Sequence, residues 1–301
     1  PRRLGEALRG PGPAVRHKNV GLTNSRDGGA SQRFLVPSMT DQVRRTPRWL
    51  RLKGLFVSIL CSAPVGRTLR RILKNRIPYR GTRILAPTGQ VSDRLVAGLF
   101  WGTHESAERR FVRDFCQNDL DTVELGSGIG AVSSQIGLNL QPETQLICVE
   151  ANPDLLPTLK HNLQLNRPAG RNQILHGAVD YGCETGSEVF VEYHGEYLNT
   201  VVRSSTPSPG SSAATSIRLC DLVNDHVKGR FQLVMDIEGA EAGLIAVGDS
   251  SLERCTLVIA ELHSCSFKGL HYEPRELKDL LQTKYGLSTT ASYGNVFCFT
   301  R

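Results

Sequence analysis

Paired cysteines, long apolar runs and acidic residues in the first third are what this chain lacks. Its eight cysteines (Cys61, Cys116, Cys148, Cys183, Cys220, Cys255, Cys265 and Cys298) form no C-x-x-C pair, which argues against a zinc site or a disulfide framework. Cys148 in "QLICVE" and Cys298 in "NVFCFT" lie inside apolar, strand-like runs and read as small core residues. A reducing compartment fits that usage. No apolar stretch approaches the roughly 20 residues of a transmembrane helix, and a hydrophobic content of 40% is ordinary for a soluble globular chain.

The shortage of acids is local. Residues 1–110 carry 22 Lys+Arg against 6 Asp+Glu, a balance of +16, whereas residues 111–301 carry 14 against 23, a balance of −9. The basic character therefore belongs to the N-terminal third. The acidic remainder argues against a nucleic-acid-binding core, so no nucleic-acid partner is expected; the basic segment could touch RNA or anionic lipid.

Residues 1–43 are rich in Gly, Pro, Ser and Arg without periodicity and read as a disordered leader. An Arg-rich, acid-poor composition also suits an organellar transit segment. The chain is expected to be cytoplasmic or organellar. From Leu55 to Val65 an apolar stretch sits between basic flanks, interrupted by Ser58, Ser62 and Pro64. It reads as a signal anchor or an interfacial helix making weak membrane contact through residues 44–75, or as a helix packed onto the main domain. Residues 1–80 are thus taken as a basic leader and 81–301 as the folded domain.

Within that domain strands and helices alternate. "TRILAPTGQVSDRLVAGLF" reads as short strands or a hairpin and "HESAERRFVRDFC" as a helix. "DTVELG", "TQLICVE", "NQILHGAV", "FQLVMDI" and "CTLVIAEL" read as strands, and "AVSSQIGLNL", "PDLLPTLKHNLQLN" and "EPRELKDLLQTKY" as helices before a closing strand "YGNVFCFT". Apolar strands separated by helices predict a mostly parallel sheet with helices on both faces. The segment 179–218 breaks the rhythm as an inserted hairpin and a Ser/Pro-rich loop, of the kind that shapes a pocket at a sheet rim.

The first of these strands ends in "VELGSGIGA", whose Gly126, Gly128 and Gly130 allow a tight turn and close approach to a ligand at a helix start. Gly126, Gly128 and Ala131 also satisfy the dinucleotide fingerprint. Two acids separate the readings. Glu150, at the end of the next strand, is placed to accept ribose hydroxyls. Glu124, two residues before the glycines, would repel a pyrophosphate and suits the amino group of S-adenosylmethionine (SAM). In the following segment Asn152 is a good N-cap and Pro153 suits the first helical position.

"VELGSGIGAVS", "ICVEANPDLLPTLKHNLQLN", "IRLCDLV" and "VMDIEGAEAGLI", in this order and spacing, resemble the FkbM-type family of SAM-dependent methyltransferases over roughly residues 100–300. "FWGTHE" and "VIAELHS" resemble further segments of that family. The family usually has an aspartate and a "GAN" loop where this chain has Glu124 and "GSG". The resemblance implies a Rossmann-like class I methyltransferase fold with a seven-stranded sheet, and O-methylation of a sugar, glycan or other small-molecule hydroxyl. It implies that Glu124, Gly126, Ser127, Gly128 and Gly130 hold the methionine moiety and Glu150 and Ala151 the ribose, with Ala178 and Val179 near the adenine.

A hydroxyl acceptor must lose its proton as it attacks, so a carboxylate or histidine is needed at the carboxyl ends of the strands. Asp236, Glu238, Glu261 and His263 are the catalytic candidates; His104, Glu105 and Glu241 are candidates for the acceptor side. Each has a plainer role open to it: Asp236 as a helix cap, Glu241 as an acid facing the helix dipole, Glu261 as the partner of an arginine, His263 as a strand-end residue. Asp236, Glu238 and Glu241 together could hold Mg²⁺ through oxygen ligands, but no histidine spacing reads as a metal site and no metal is expected. An NAD(P)-dependent oxidoreductase and a non-catalytic SAM-binding scaffold are the rival readings; no Tyr-x-x-x-Lys pair of short-chain reductase type supports the first.

Overall fold

The computed structural model describes residues 57–193, 200–204 and 207–301. The disordered leader expected at 1–43 lies outside them. Within the described residues, β3 (Thr122–Leu125), β4 (Gln145–Glu150), β5 (Arg171–His176), β10 (Phe231–Met235), β11 (Cys255–Glu261), β14 (Ser288–Tyr293) and β15 (Val296–Thr300) form one seven-stranded sheet, ordered β14-β15-β11-β10-β3-β4-β5. Numbered by position in the chain, the order is 3-2-1-4-5-7-6. Strands β5, β4, β3, β10 and β11 run parallel, and β15 runs antiparallel between β11 and β14. This is the Rossmann-like class I methyltransferase fold expected from the sequence.

The strand sequences explain why it forms. All of "TVEL" and "FQLVM" is buried, as required of strands covered on both faces. One face packs Val123, Leu125, Leu233 and Met235 against Leu244, Leu277 and Leu281. The other packs Cys148, Val234, Ile259 and Cys298 against Phe111, Ile136 and Leu163. Both strand cysteines are therefore core residues, as their apolar neighbours predicted.

Two short strands precede the sheet: β1 (Arg76–Tyr79) and β2 (Thr82–Leu85), an antiparallel hairpin. It runs across the boundary drawn at residue 80, and its Ile77, Tyr79 and Ile84 join Ile129 and Leu155 in a third buried cluster. The helix Ala63–Leu73 docks beside it, with Leu69 and Leu73 packed on that cluster and one buried charged side chain. Arg70 is buried, donating to Asp93 Oδ1 at 2.9 Å, to Asn75 Oδ1 at 2.9 Å and to the carbonyls of Ala86 and Val91. That clamp, with four acceptors on one guanidinium, ties this helix to the main domain, the second of the readings given for the segment. No described helix is long and apolar enough to cross a membrane.

Other elements differ in detail. "SDRLVAGLF", expected to be extended, contains the helix Asp93–Trp101, capped by Ser92, whose Oγ accepts the Leu95 N–H at 3.2 Å. The helix expected from Pro153 starts at Leu156, because Asn152 closes a turn of its own on the Asp154 N–H at 3.0 Å. The inserted hairpin is part of a second sheet: β6 (Ala178–Val179), β7 (Glu188–Tyr193), β8 (Thr200–Ser204) and β9 (Ser212–Ile217), ordered β6-β9-β7-β8.

Candidate cofactor and acceptor site

Sheet register assembles the site. Leu125 stands opposite both Val149 and Met235, and Met235 opposite Ala260. The next residue on each strand is therefore Glu150, Gly126, Asp236 or Glu261, a row across β4, β3, β10 and β11 at the carboxyl edge. A cavity of about 550 Å³ opens over this row, within the range of roughly 300–1,000 Å³ usual for small-ligand sites.

The glycine loop forms its floor. Gly126, Gly128 and Gly130 all have positive φ, and a Cβ on Gly126 would overlap the backbone carbonyl oxygen of Asp236. The loop amides are already engaged. Gly126 and Ser127 donate to Val149 O at 3.0 and 3.1 Å, and Gly128 donates to Glu150 Oε2 at 2.7 Å. They are not free to cradle a pyrophosphate. Glu150 Oε1 also accepts the Asn152 N–H at 2.7 Å. Burial raises the Glu150 pKa, with these N–H groups opposing it. Ala151, Ala178 and Val179 line the same cavity.

Glu124 is placed differently from the expectation. Its carboxylate accepts hydrogen bonds from Ser133 Oγ and from Cys148 Sγ, the latter at 3.4 Å. It lines a small adjoining cavity with Glu105, Glu108 and Asp236 rather than the large one. Burial pushes it up to about 7. That small cavity shares Gly126, Ser127 and Asp236 with the large one.

The acids of "DIEGAE" separate as the chain leaves β10. Asp236 and Glu238 face the cavity, and Glu238 takes a positive φ at the turn. Glu241, in the helix Glu241–Val247, is fully buried and accepts from or shares a proton with His263 Nδ1 at 2.9 Å. Glu241 stands in the first helical turn, as a dipole acid would, but it does not line the cavity, where it was expected on the acceptor side. It orients His263 from behind. The other ring nitrogen, Nε2, lies 3.6 Å from Glu238 Oε2 and 3.9 Å from both Asp236 Oδ1 and Glu261 Oε1. Burial disfavours charge on the ring, but the hydrogen bond to Glu241 and the surrounding carboxylates outweigh it and push His263 up to about 9. Burial, then the charges of Glu261 and Glu238, hold Asp236 well above the usual carboxylate range. Glu238 is raised too, by burial first, with His263 pulling the other way. Asp236 caps no helix, since the residue at that position is Ala240.

The wall opposite comes from the helix Ser106–Phe115 and the residues before it. His104 and Glu105 line the cavity and meet at 3.0 Å between Nε2 and Oε1. Glu108, one turn further on, was not singled out in the sequence. Burial, reinforced by Glu105 and Glu261, pushes it up to about 7. Tyr293, at the end of β14, and Gly294 and Asn295, before β15, complete the lining; they carry no motif that could have flagged them.

The fold and an acid-lined cavity at the carboxyl edge of its sheet thus define a Rossmann-like chain of the class I methyltransferase architecture. No family model matches the chain and no curated protein matches it in sequence. Similar solved structures include precorrin-6y C5,15-methyltransferase from Geobacter metallireducens, at 13% identity over 72% of this chain and 95% of that one, with a TM-score of 0.37. Aeropyrum pernix fibrillarin with natively bound S-adenosyl-L-methionine matches at 12% identity over 65% and 74%, with a TM-score of 0.38. A tRNA m1G37 methyltransferase from M. jannaschii matches at 12% over 74% and 55%, with a TM-score of 0.37. The net charge of a domain does not report on its acceptor, so the exclusion of nucleic acid drawn from the acidic charge of residues 111–301 does not stand, nor does the small-molecule or glycan partner assigned with it; solved structures with this fold include tRNA and rRNA methyltransferases.

Proposed function

We infer that this chain is a SAM-dependent methyltransferase of FkbM type, transferring to a hydroxyl oxygen. The observation that carries the reading is the charge of the cavity wall. Glu105, Glu108, Glu150, Asp236, Glu238 and Glu261 line it, and no described lining residue is Lys or Arg. Such a wall disfavours the pyrophosphate of NAD(P), whose usual amide cradle is already engaged with Val149 and Glu150. It favours a ligand carrying positive charge, as the sulfonium and ammonium of SAM do.

In this reading Glu150 accepts the ribose hydroxyls through its remaining lone pairs, and Ala178 and Val179 flank the adenine. The glycines set the approach of the methionine end, and Glu124 supports them from below. When bound, SAM supplies an electrophilic methyl group. The protein's part is alignment and proton removal. Asp236 and Glu238 are the proton acceptors. Their raised pKa values bring them toward the range in which a base works near neutral pH, and they titrate together with His263 rather than singly. His263, held by Glu241, keeps the cluster in register. His104 and Glu105 face the acceptor from the far wall.

Calorimetric titration with SAM, S-adenosylhomocysteine and NADH tests the cofactor. Binding of NADH with no response to the other two overturns the reading. Labelled SAM offered to glycan, metabolite and RNA fractions, with mass spectrometry of the product, identifies the acceptor. Asp236→Ala and Glu238→Ala together should abolish that transfer while SAM still binds; retained turnover refutes the assigned base.

A further inference from the structure

We propose that Asp236, Glu261 and His263 form a binding site for a divalent first-row transition-metal ion, at the acceptor side of the cavity. The sequence put forward the three acids of "DIEGAE" for Mg²⁺ and no histidine at all; the geometry keeps Asp236 and replaces Glu238 and Glu241 with Glu261 and His263. One ligating atom from each of the three residues lies within 4.8 Å of the other two. His263 Nε2 stands 3.9 Å from Asp236 Oδ1 and 3.9 Å from Glu261 Oε1. Two ligand atoms each about 2.1 Å from one ion are about 3.0 Å apart at a right angle and about 3.4 Å apart at the tetrahedral angle. A contraction of about 0.5–0.9 Å at each of these two distances closes the site.

A separate observation concerns Asp236 alone. Although the side chain as a whole is a third exposed, its Oδ1 is sealed from solvent and has no hydrogen-bond partner. A buried carboxylate oxygen without a donor is costly, and a cation at this point would satisfy it. The oxygen concerned is the one that faces His263 Nε2.

The second layer is also in place. A histidine ligand commonly gives its other ring nitrogen to a carboxylate, which fixes the tautomer and the ring plane. Glu241 does this for Nδ1 at 2.9 Å from a fully buried position. An imidazole nitrogen beside two carboxylate oxygens favours Mn²⁺, Fe²⁺, Co²⁺ or Zn²⁺ over Mg²⁺ or Ca²⁺. Asp236 and Glu261 both line the main cavity, so an ion on three protein ligands keeps an open position toward it. That position suits an oxygen of the acceptor, whose proton a cation makes easier to remove. This use of the ion rests on the methyltransferase reading; the binding of the ion does not.

The test uses the tag-free full chain, stripped with chelator and titrated with Co²⁺, whose visible spectrum reports nitrogen and oxygen ligation. One equivalent should bind and develop d–d bands. His263→Ala and Glu261→Gln should each weaken binding by 100-fold or more while the near-ultraviolet circular dichroism stays that of the wild type. Competition should rank Mn²⁺ and Zn²⁺ well ahead of Mg²⁺. Absence of a spectral change up to millimolar Co²⁺, or binding equally tight in both variants, overturns the site. So does Mg²⁺ competing as well as Mn²⁺. SAM titration of the stripped protein is read separately, so failure of the cofactor reading and failure of the metal site give different results.

Discussion

Replacing Glu124 with glutamine should stabilise the cofactor-free protein, and only above a certain pH. The carboxyl group lies beneath the glycine loop, buried, with Ser133 and Cys148 as donors. Its pKa rises from 4.5 to about 7, chiefly through burial. The folded state therefore holds this proton more tightly than the unfolded chain. The favourable contribution is complete below pH 4.5, declines as pH rises through 7, and is gone above it. At about 1.4 kcal/mol per pKa unit, the charged form costs roughly 3 kcal/mol at pH 8. Glutamine keeps the shape and the acceptor oxygen but has no proton to lose. Urea denaturation of both proteins should give nearly equal stabilities at pH 5 and a variant more stable by about 2–4 kcal/mol at pH 8. Other titrating acids, such as Glu108 and Asp236, act in both proteins and cancel in the difference. A gain that is the same at both pH values, or no gain at all, refutes the argument that burial governs this group.

Two further substitutions probe the frame of the site. Gly126→Ala forces a side chain into a left-handed conformation and into the Asp236 carbonyl, so a loss of at least about 1–3 kcal/mol is expected; thermal melting within a degree of the wild type would refute the close approach. Tyr181 donates to the Asp249 carboxylate and accepts the Leu219 N–H at 3.1 Å. Tyr181→Phe leaves that buried N–H unpaired and removes one donor from the carboxylate, and denaturant titration should register a loss of about 1–3 kcal/mol.

Some of this was open to reading from residues and some was not. The alternating architecture was legible because strands covered on both faces must be apolar throughout, as "FQLVM" is. Asp236, Glu238, Glu261 and His263 were legible for the same reason: polar groups that end such strands stand at the functional edge. The helix Asp93–Trp101 was obscured by apolar residues on most of its faces, although Ser92 followed by Asp93 was a usable start signal. β14 was missed because "STTASY" is largely exposed edge strand without alternation. The direction of Glu124 was beyond pattern altogether: with all four residues of β3 buried, nothing in the sequence says which layer a side chain enters. Glu108 and the 293–295 turn come from outside the sheet's central strands, and only packing brings them to the cavity.

The inserted sheet has a consequence for anyone seeking to change what the protein acts on. β6 is only two residues long, both of which line the cavity, and its ladder partner is β9, the last strand of the insertion. Gly177, just before it, has no room for a Cβ because Ile217 and the Thr215 carbonyl press against it. A graft that exchanges the insertion for a relative's would therefore shift the wall proposed for the adenine as well. The inserted sheet and the cavity wall at Ala178 and Val179 are mechanically linked, so a change in the first reaches the second.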